Sequence, residues 1–277
     1  MNYIEIELKP SPRDPWTEIL IADLANLGFE SFVETEEGFK AYGSEGEIDF
    51  NDPLKGTLLN ESHEFKVEIK TKVIPQQNWN AVWESDFKPV FVEEYCSILA
   101  PFHDPSQAKG KIVWIQPQMS FGTGHHQTTY LMTKSLFELE KMPEKVLDMG
   151  CGTGVLAIVA EMLGAKEILA VDIEEWSAEN TAENAVRNQC KAITALCGDI
   201  DQVKDDQFGL ILANINKNVL KSHMARYAEL LTLNGVLMIS GFFTTDAVEL
   251  SDFAEDLGLT QVNKLDKDEW CCLHFKK

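Results

Sequence analysis

The stretch Val146-Leu147-Asp148-Met149-Gly150-Cys151-Gly152-Thr153-Gly154 is a short apolar strand that ends in an acid and three alternating glycines. Glycine adopts positive φ and has no Cβ, so Gly150, Gly152 and Gly154 permit a sharp turn against which a ligand can lie. A helix expected from about Gly154 to Leu163, with Leu156, Val159 and Leu163 on one side, points its N-terminal amides back at that turn. The pattern is D-x-G-x-G-x-G. It is not the G-x-G-x-x-G of dinucleotide enzymes, because counting from Gly150 puts Val155 in the third glycine's place. The same residues would also serve an ordinary strand-to-helix connection. A second apolar run, Ile168-Leu169-Ala170-Val171-Asp172, ends in another acid after one helix and the Gly164-Ala165 stop. A carboxylate at the end of a second parallel strand accepts both hydroxyls of a ribose. The alternative is an acid that caps the helix opened by Glu174 and Glu175. A third strand end, Ala195-Leu196-Cys197-Gly198-Asp199, brings an acid to the height of an adenine amino group.

An α/β sheet has to position these strand ends. A helix is expected over Tyr130 to Leu139, strands over Phe208 to Ala213 and Gly235 to Ser240, and a helix over Val219 to Leu231. Asn188-Gln189 closes the helix after Asp172. Two late strands, Gln261 to Leu265 and Trp270 to Phe275, turn through Asp266-Lys267-Asp268, with one strand antiparallel. Asn214 follows Ala213 at the carboxyl edge of the sheet, where open α/β folds bind ligands.

Together these residues resemble the class I methyltransferases that use S-adenosylmethionine, over roughly Lys111 to Lys277. Within that superfamily the chain is most similar to the PrmA-type enzymes that methylate large-subunit ribosomal protein L11. Phe121-Gly122-Thr123-Gly124-His125-His126-Gln127-Thr128-Thr129 resembles the family's F-G-T-G-T-H-P-T-T, and Ala213-Asn214-Ile215 resembles the start of its A-N-I-L-A-G-P-L. The resemblance implies a Rossmann-like class I methyltransferase domain, of α/β class, behind a small α+β ferredoxin-like N-terminal domain. It implies S-adenosylmethionine contacts at Thr129, Gly150, Asp172 and Asn214, with Gly152 in the same turn. It also implies repeated methylation of lysine side chains and of the N-terminal amine.

Thr129 would cap the helix that follows or reach the amino-acid end of the cofactor. The Asn214 amide would donate to the cofactor carboxylate while neighbouring carbonyls accept from a substrate amine. Methyl transfer from a sulfonium is an in-line displacement without a covalent enzyme intermediate, so no catalytic side chain is expected, and the lack of ligand-spaced His and Cys partners gives no metal site. Two departures stand out. His125 and Gln127 replace a threonine and a proline, which removes a φ constraint and predicts a looser lid. Asn216-Lys217-Asn218-Val219 replaces apolar and small residues, placing Lys217 either near the methyl acceptor or in a solvated loop. Amide methyltransferases resemble N-P-P-Y where this chain has Asn214-Ile215-Asn216-Lys217. A methyltransferase for another protein or a small molecule, and a non-catalytic nucleoside-binding scaffold, are the competing readings.

At 277 residues and 44% hydrophobic content there is material for two packed cores. No apolar run approaches the ~20 residues that cross a bilayer, and MNYIEIELKP lacks a basic start followed by an apolar stretch. A cytoplasmic protein is expected. The six cysteines form no C-x-x-C pair, and the adjacent His125 and His126 have no ligand-spaced partner. A net charge of −21 argues against general nucleic-acid binding and for a basic partner. Between Glu30 and Asp52 eight acids face the single Lys40, a segment that would steer a lysine-rich protein or simply solubilise the surface.

The N-terminal part alternates at Ile4, Ile6 and Leu8, then carries a helix after Asp14-Pro15 with Trp16, Ile19, Leu20, Leu24 and Leu27 inward and Gly28 as its stop. Strands at Ser31 to Glu34 and Phe39 to Tyr42, a short helix near Pro53 to Asn60 and alternation at Phe65, Val67 and Ile69 complete βαββαβ, the ferredoxin-like order. The expected organisation is a substrate-recognition domain over 1–73, a helical linker over 74–92 and the methyltransferase domain over 93–277. Trp79, Val82 and Trp83 form a stripe on the linker suited to packing between domains, where a hinge would help present several amines.

Overall fold

The computed structural model describes residues 2–44, 46, 48–49, 51–52, 54–55, 57, 66–74, 87–117, 126–204 and 206–277. The chain divides into two compact units, 1–86 and 87–277.

In the first unit β1 (Tyr3–Ser11), β2 (Ser31–Glu34), β3 (Phe39–Ser44) and β4 (Lys66–Ile74) form an antiparallel sheet in the order β2-β3-β1-β4. Period-two alternation builds it: Ile4, Ile6 and Leu8 are fully buried, while Glu5 faces the other way and pairs with Lys40 at 3.1 Å. Helix α1 (Trp16–Asn26) covers the apolar face with Leu20 and Leu24. Thr17, not Trp16, takes the first inward place, because 17, 20 and 24 follow the i, i+3, i+7 spacing of one helix face. This is the strand order of the ferredoxin-like arrangement. The helix expected near 53–60 lies largely outside the described residues, as do the linker tryptophans.

The second unit begins with a small sheet of β5 (Val90–Val92), β6 (Cys96–Leu99) and β7 (Lys111–Trp114), with β6 antiparallel to β5 and parallel to β7. Val90 to Val92, placed in a helical linker by the sequence reading, are therefore a strand of this unit.

The main sheet holds β8 (Lys145–Met149), β9 (Glu167–Asp172), β10 (Ile193–Cys197), β11 (Phe208–Asn214), β12 (Leu231–Phe243), β13 (Thr260–Lys267) and β14 (Trp270–Lys276). Its order is β10-β9-β8-β11-β12-β14-β13, and β14 runs antiparallel to both neighbours. The central strands β8 and β11 are buried on both faces, as parallel strands under helices must be, whereas the edge strands β10 and β13 are not. Leu210 and Leu212 of β11 point into one core, Ile211 and Ala213 into the other. Helices α2 (Gln127–Phe137) and α3 (Val155–Met162) build the first core. Helices α5 (Lys217–Leu230) and α6 (Ala247–Asp256) build the second, with Tyr227 fully buried. Helix α4 (Glu175–Arg187) joins β9 to β10. Strand β12 is longer than the run from Gly235 to Ser240, because it starts at once after α5 and continues through a bulge between Ser240 and Phe242. No helix among the described residues is long and apolar enough to cross a membrane.

Candidate functional site at the carboxyl edge of the sheet

The parallel strands β8, β9 and β11 end at one edge, so the residues that terminate them meet there. The glycine turn leaves β8 with φ of 71°, 56° and 76° at Gly150, Gly152 and Gly154, values that only glycine adopts without strain. It is stitched to β9: the Gly150 and Cys151 amides donate to the Val171 carbonyl at 2.8 and 3.1 Å. Asp172 completes the seam. Its Oδ2 accepts from the Gly152 amide at 2.9 Å and its Oδ1 from the Glu174 amide at 3.1 Å. The helix-entry role of Asp172 is thus realised through Oδ1, while Oδ2 ties the acid to the glycine turn. Each oxygen keeps a lone pair for a further donor.

Asp148 lies beneath this turn, 1% exposed, and accepts from the Ala157 amide in the first turn of α3 at 3.1 Å. Burial pushes its carboxyl up to about 7; the Ala157 amide opposes this and the charge of Asp172 adds to it. Between the ordinary 3.8 and about 7 the folded chain holds a proton here that the unfolded chain has released. The contribution to stability is therefore full below 3.8 and lost as pH rises through about 7. Three pH units at ~1.36 kcal/mol each make it on the order of 4 kcal/mol. Asp148→Asn, which has no proton to lose, should gain stability relative to the native chain as pH rises from 4 to 8. Urea unfolding across that range measures the difference, and a pH-independent difference would refute the assignment.

Asn214 ends β11 one residue beyond Ala213, which pairs with Met149, so it stands beside Gly150. The following peptide is held by the Ile215 amide donating to the Ser240 carbonyl at 3.1 Å. The Asn214 side chain is half-buried and makes no hydrogen bond to the described residues.

Thr129 differs from expectation. Helix α2 starts at Gln127, and its cap is His126, whose Nδ1 accepts from the Thr128 amide at 3.3 Å and contacts the Thr128 hydroxyl at 2.8 Å. Thr129 is the third residue of the helix, 2% exposed, and its hydroxyl has no partner among the described residues. The His126 ring meets Trp270 edge-on at 4.4 Å, and Trp270 lies 4.4 Å from Phe243. Phe243 ends β12 and Trp270 begins the antiparallel β14, so these rings bring the start of α2 to the same sheet edge as Asn214. Gln127, expected to loosen a lid, donates to Asp268 in the β13–β14 turn at 3.2 Å. Phe121 to His125 lie outside the described residues.

Lys217 is the first residue of α5, behind the cap Asn216, and binds Asp246 at 2.7 Å and Glu249 at 3.1 Å. The Asp246 carboxylate, then Glu249, hold its ammonium above its usual range. It is therefore an ion-paired helix residue and not a solvated loop lysine. Asp199, the third strand-end acid, accepts from the Ile200 amide at 2.7 Å and lies 3.3 Å from His223. Among the described residues no three His, Cys, Asp or Glu side chains come together to hold a metal ion.

Sequence reasoning missed the bulge glycine Gly241 and the bonding roles of Asn184 in α4 and of Asn188, its carboxyl-terminal cap. Asn184 and Asn188 stand four apart, so both face one way, which was a readable signal. Their partners at positions 114, 116 and 153 were not readable.

Counted from β8, the sheet order is 3-2-1-4-5-7-6 with the seventh strand reversed, and the first strand ends in a glycine turn. These parts define a class I S-adenosylmethionine-dependent methyltransferase. The family model described as ribosomal protein L11 methyltransferase (PrmA) matches residues 32–277, and the chain belongs to that family. A ribosomal protein L11 methyltransferase of Porphyromonas gingivalis is 40% identical over 93% of this chain and 90% of its own length. One of Bacteroides thetaiotaomicron is 38% identical over 99% of both. The crystal structure of a ribosomal protein L11 methylase from Lactobacillus delbrueckii subsp. bulgaricus covers 68% of this chain and 98% of its own, at 26% identity and a TM-score of 0.63. The resemblance drawn from the two motifs is borne out, and S-adenosylmethionine is the methyl donor.

The residues present fit that donor. The positive-φ glycines close the turn tightly against Ile215 and Thr181, a carboxylate with spare lone pairs suits a ribose diol, and the unbonded Asn214 amide and Thr129 hydroxyl suit the polar amino-acid end.

Proposed function

We propose that this chain transfers methyl groups to amines of ribosomal protein L11, lysine side chains and the N-terminal amine, holding the donor with Thr129, Gly150, Gly152, Asp172 and Asn214. What carries the reading is the meeting of Gly152, Asp172 and Asn214 at one sheet edge, with the Asn214 amide left without a partner among the described residues. The donor supplies an electrophilic methyl group on a sulfonium. The protein supplies position: Asp172 fixes the ribose, the glycine turn admits the cofactor backbone, and the Asn214–Ile215 peptide offers a carbonyl to the incoming amine.

A lysine amine with a reference pKa of ~10.4 costs roughly 4 to 5 kcal/mol to deprotonate at pH 7, and an α-amine near ~8 costs less. Desolvation beside a cationic centre lowers that cost. The first unit, acidic between Glu30 and Asp52, serves substrate recognition in this reading, and the chain works in the cytoplasm. Purified chain and tritium-labelled S-adenosylmethionine, offered a panel of basic ribosomal proteins, should label L11 above all others. Labelling of a different protein, or of none, would overturn the proposal.

A further inference from the structure

Asn184 of α4 is fully buried, and its side-chain amide uses its whole hydrogen-bonding capacity. Nδ2 donates to the Thr153 carbonyl, between Gly152 and Gly154 of the turn, and to Asn180 Oδ1, each at 3.0 Å. Oδ1 accepts from the Gln116 amide at 2.9 Å and from Arg187 at 3.0 Å. One helical turn later Asn188 accepts from the Trp114 amide at 2.8 Å and donates to the Trp114 carbonyl at 2.6 Å. Strand β7 is the edge of the three-stranded sheet, and the Asn188 amide takes the place of the next strand there. Gln116 stands five residues before Phe121, where the motif running to Thr129 begins. One buried side chain thus bonds both to the turn beneath the donor and to the stem of the chain that carries the second motif.

We propose that Asn184 is a positioning residue that couples the glycine turn to the Trp114–Gln116 stem, so that filling the cofactor site steadies the segment leading to the substrate side. The inference rests on the donor lying on the turn, as proposed above. A bound cofactor that holds the turn removes one route by which the Asn184 network opens, and the Gln116 amide, bonded to the same side chain, opens less often. No other side chain of this size offers two donors and two acceptor positions in one plane. Asn184→Asp keeps the bonds from Gln116 and Arg187 but turns carboxylate oxygens toward the Thr153 carbonyl and Asn180 Oδ1, cutting the link on the turn side alone.

Hydrogen exchange of the full chain, with and without saturating S-adenosylhomocysteine, tests this. In the native chain exchange should slow both at 150–154 and at 114–116, at the stem by about tenfold, within the usual range of site-to-site coupling. In Asn184→Asp the turn should still slow and the stem should not. Should that variant fail to fold, the half-buried Asn188→Asp, which loses the bond to the Trp114 carbonyl but keeps Asn184 tied to Thr153 and Gln116, should still show cofactor-dependent slowing at the Gln116 amide, and loss of slowing there would overturn Asn184 as the link. Equal slowing of the stem in Asn184→Asp, or a native stem that ignores a protected turn, would overturn the coupling alone. Ligand bound with no slowing at the native turn would overturn the cofactor placement and the coupling with it.

Discussion

Asp172→Ala is expected to weaken S-adenosylhomocysteine binding about a hundredfold in a chain that still folds. Hydrogen bonds to a charged acceptor contribute about 1.5–3 kcal/mol each, and losing two of them, partly offset by water, leaves a net loss of about 3 kcal/mol. The geometry also says which substitution is not conservative. Both carboxylate oxygens already accept from backbone amides, Gly152 at 2.9 Å and Glu174 at 3.1 Å. An asparagine must therefore aim its NH2 group at one of those N–H donors, and Asp172→Asn should lose nearly as much affinity as alanine. Stability falls too, because the buried Gly152 amide loses its acceptor, a cost of about 1–3 kcal/mol, whereas the exposed Glu174 amide turns to water. Calorimetric titration of the three proteins measures the affinities. Native-like binding by the alanine variant would remove Asp172 from the ribose site.

The glycine turn and Asp172 were legible because their chemistry is local: positive φ demands glycine, and an acid at a strand end needs only the strand to be recognised. The parallel strands were legible for a similar reason, since Leu210 to Ala213 serve two cores at once and so must be apolar throughout. The cap of α2 was hidden because a histidine ring nitrogen does the work usually given to serine, threonine, aspartate or asparagine. With His126 as the cap, Thr129 moves from the helix end into its first turn. Lys217 misled because Asp246 and Glu249, which hold it, lie 29 and 32 residues away. Asn184 was invisible as a functional residue for the same reason at greater range, its partner Gln116 being 68 residues distant. What sequence patterns convey is periodicity and backbone permission. Side chains that tie one loop to another leave no periodic trace.

Gly241→Ala is expected to lower the methyl-transfer rate at least a hundredfold and to destabilise the chain by about 3 kcal/mol. Gly241 sits in the bulge of β12 with φ of 97°, where a side chain is strained by about 1–3 kcal/mol whatever its surroundings. A Cβ there would also lie 2.3, 2.7 and 2.9 Å from the backbone O, C and N of Ile215. All three neighbours are main chain, so relief requires the Asn214–Ile215 peptide itself to move. A displacement of about 1 Å at a group that orients the reacting partners lowers a rate by roughly a hundredfold. The contrast is Gly150, where an added Cβ meets Ile215 Cγ2 at 2.2 Å, a side-chain atom that Ile215→Ala removes. At Gly241 no truncation of Ile215 relieves the contact, so Ile215→Ala should fail to restore transfer to Gly241→Ala. Cofactor affinity should fall less than the rate, because the glycine turn and Asp172 are untouched and, of the proposed donor contacts, only Asn214 moves with the peptide proposed to face the amine. Stopped-time transfer assays beside calorimetry separate the two effects. A Gly241→Ala protein with native turnover would show that the Asn214–Ile215 peptide does not set the geometry of transfer.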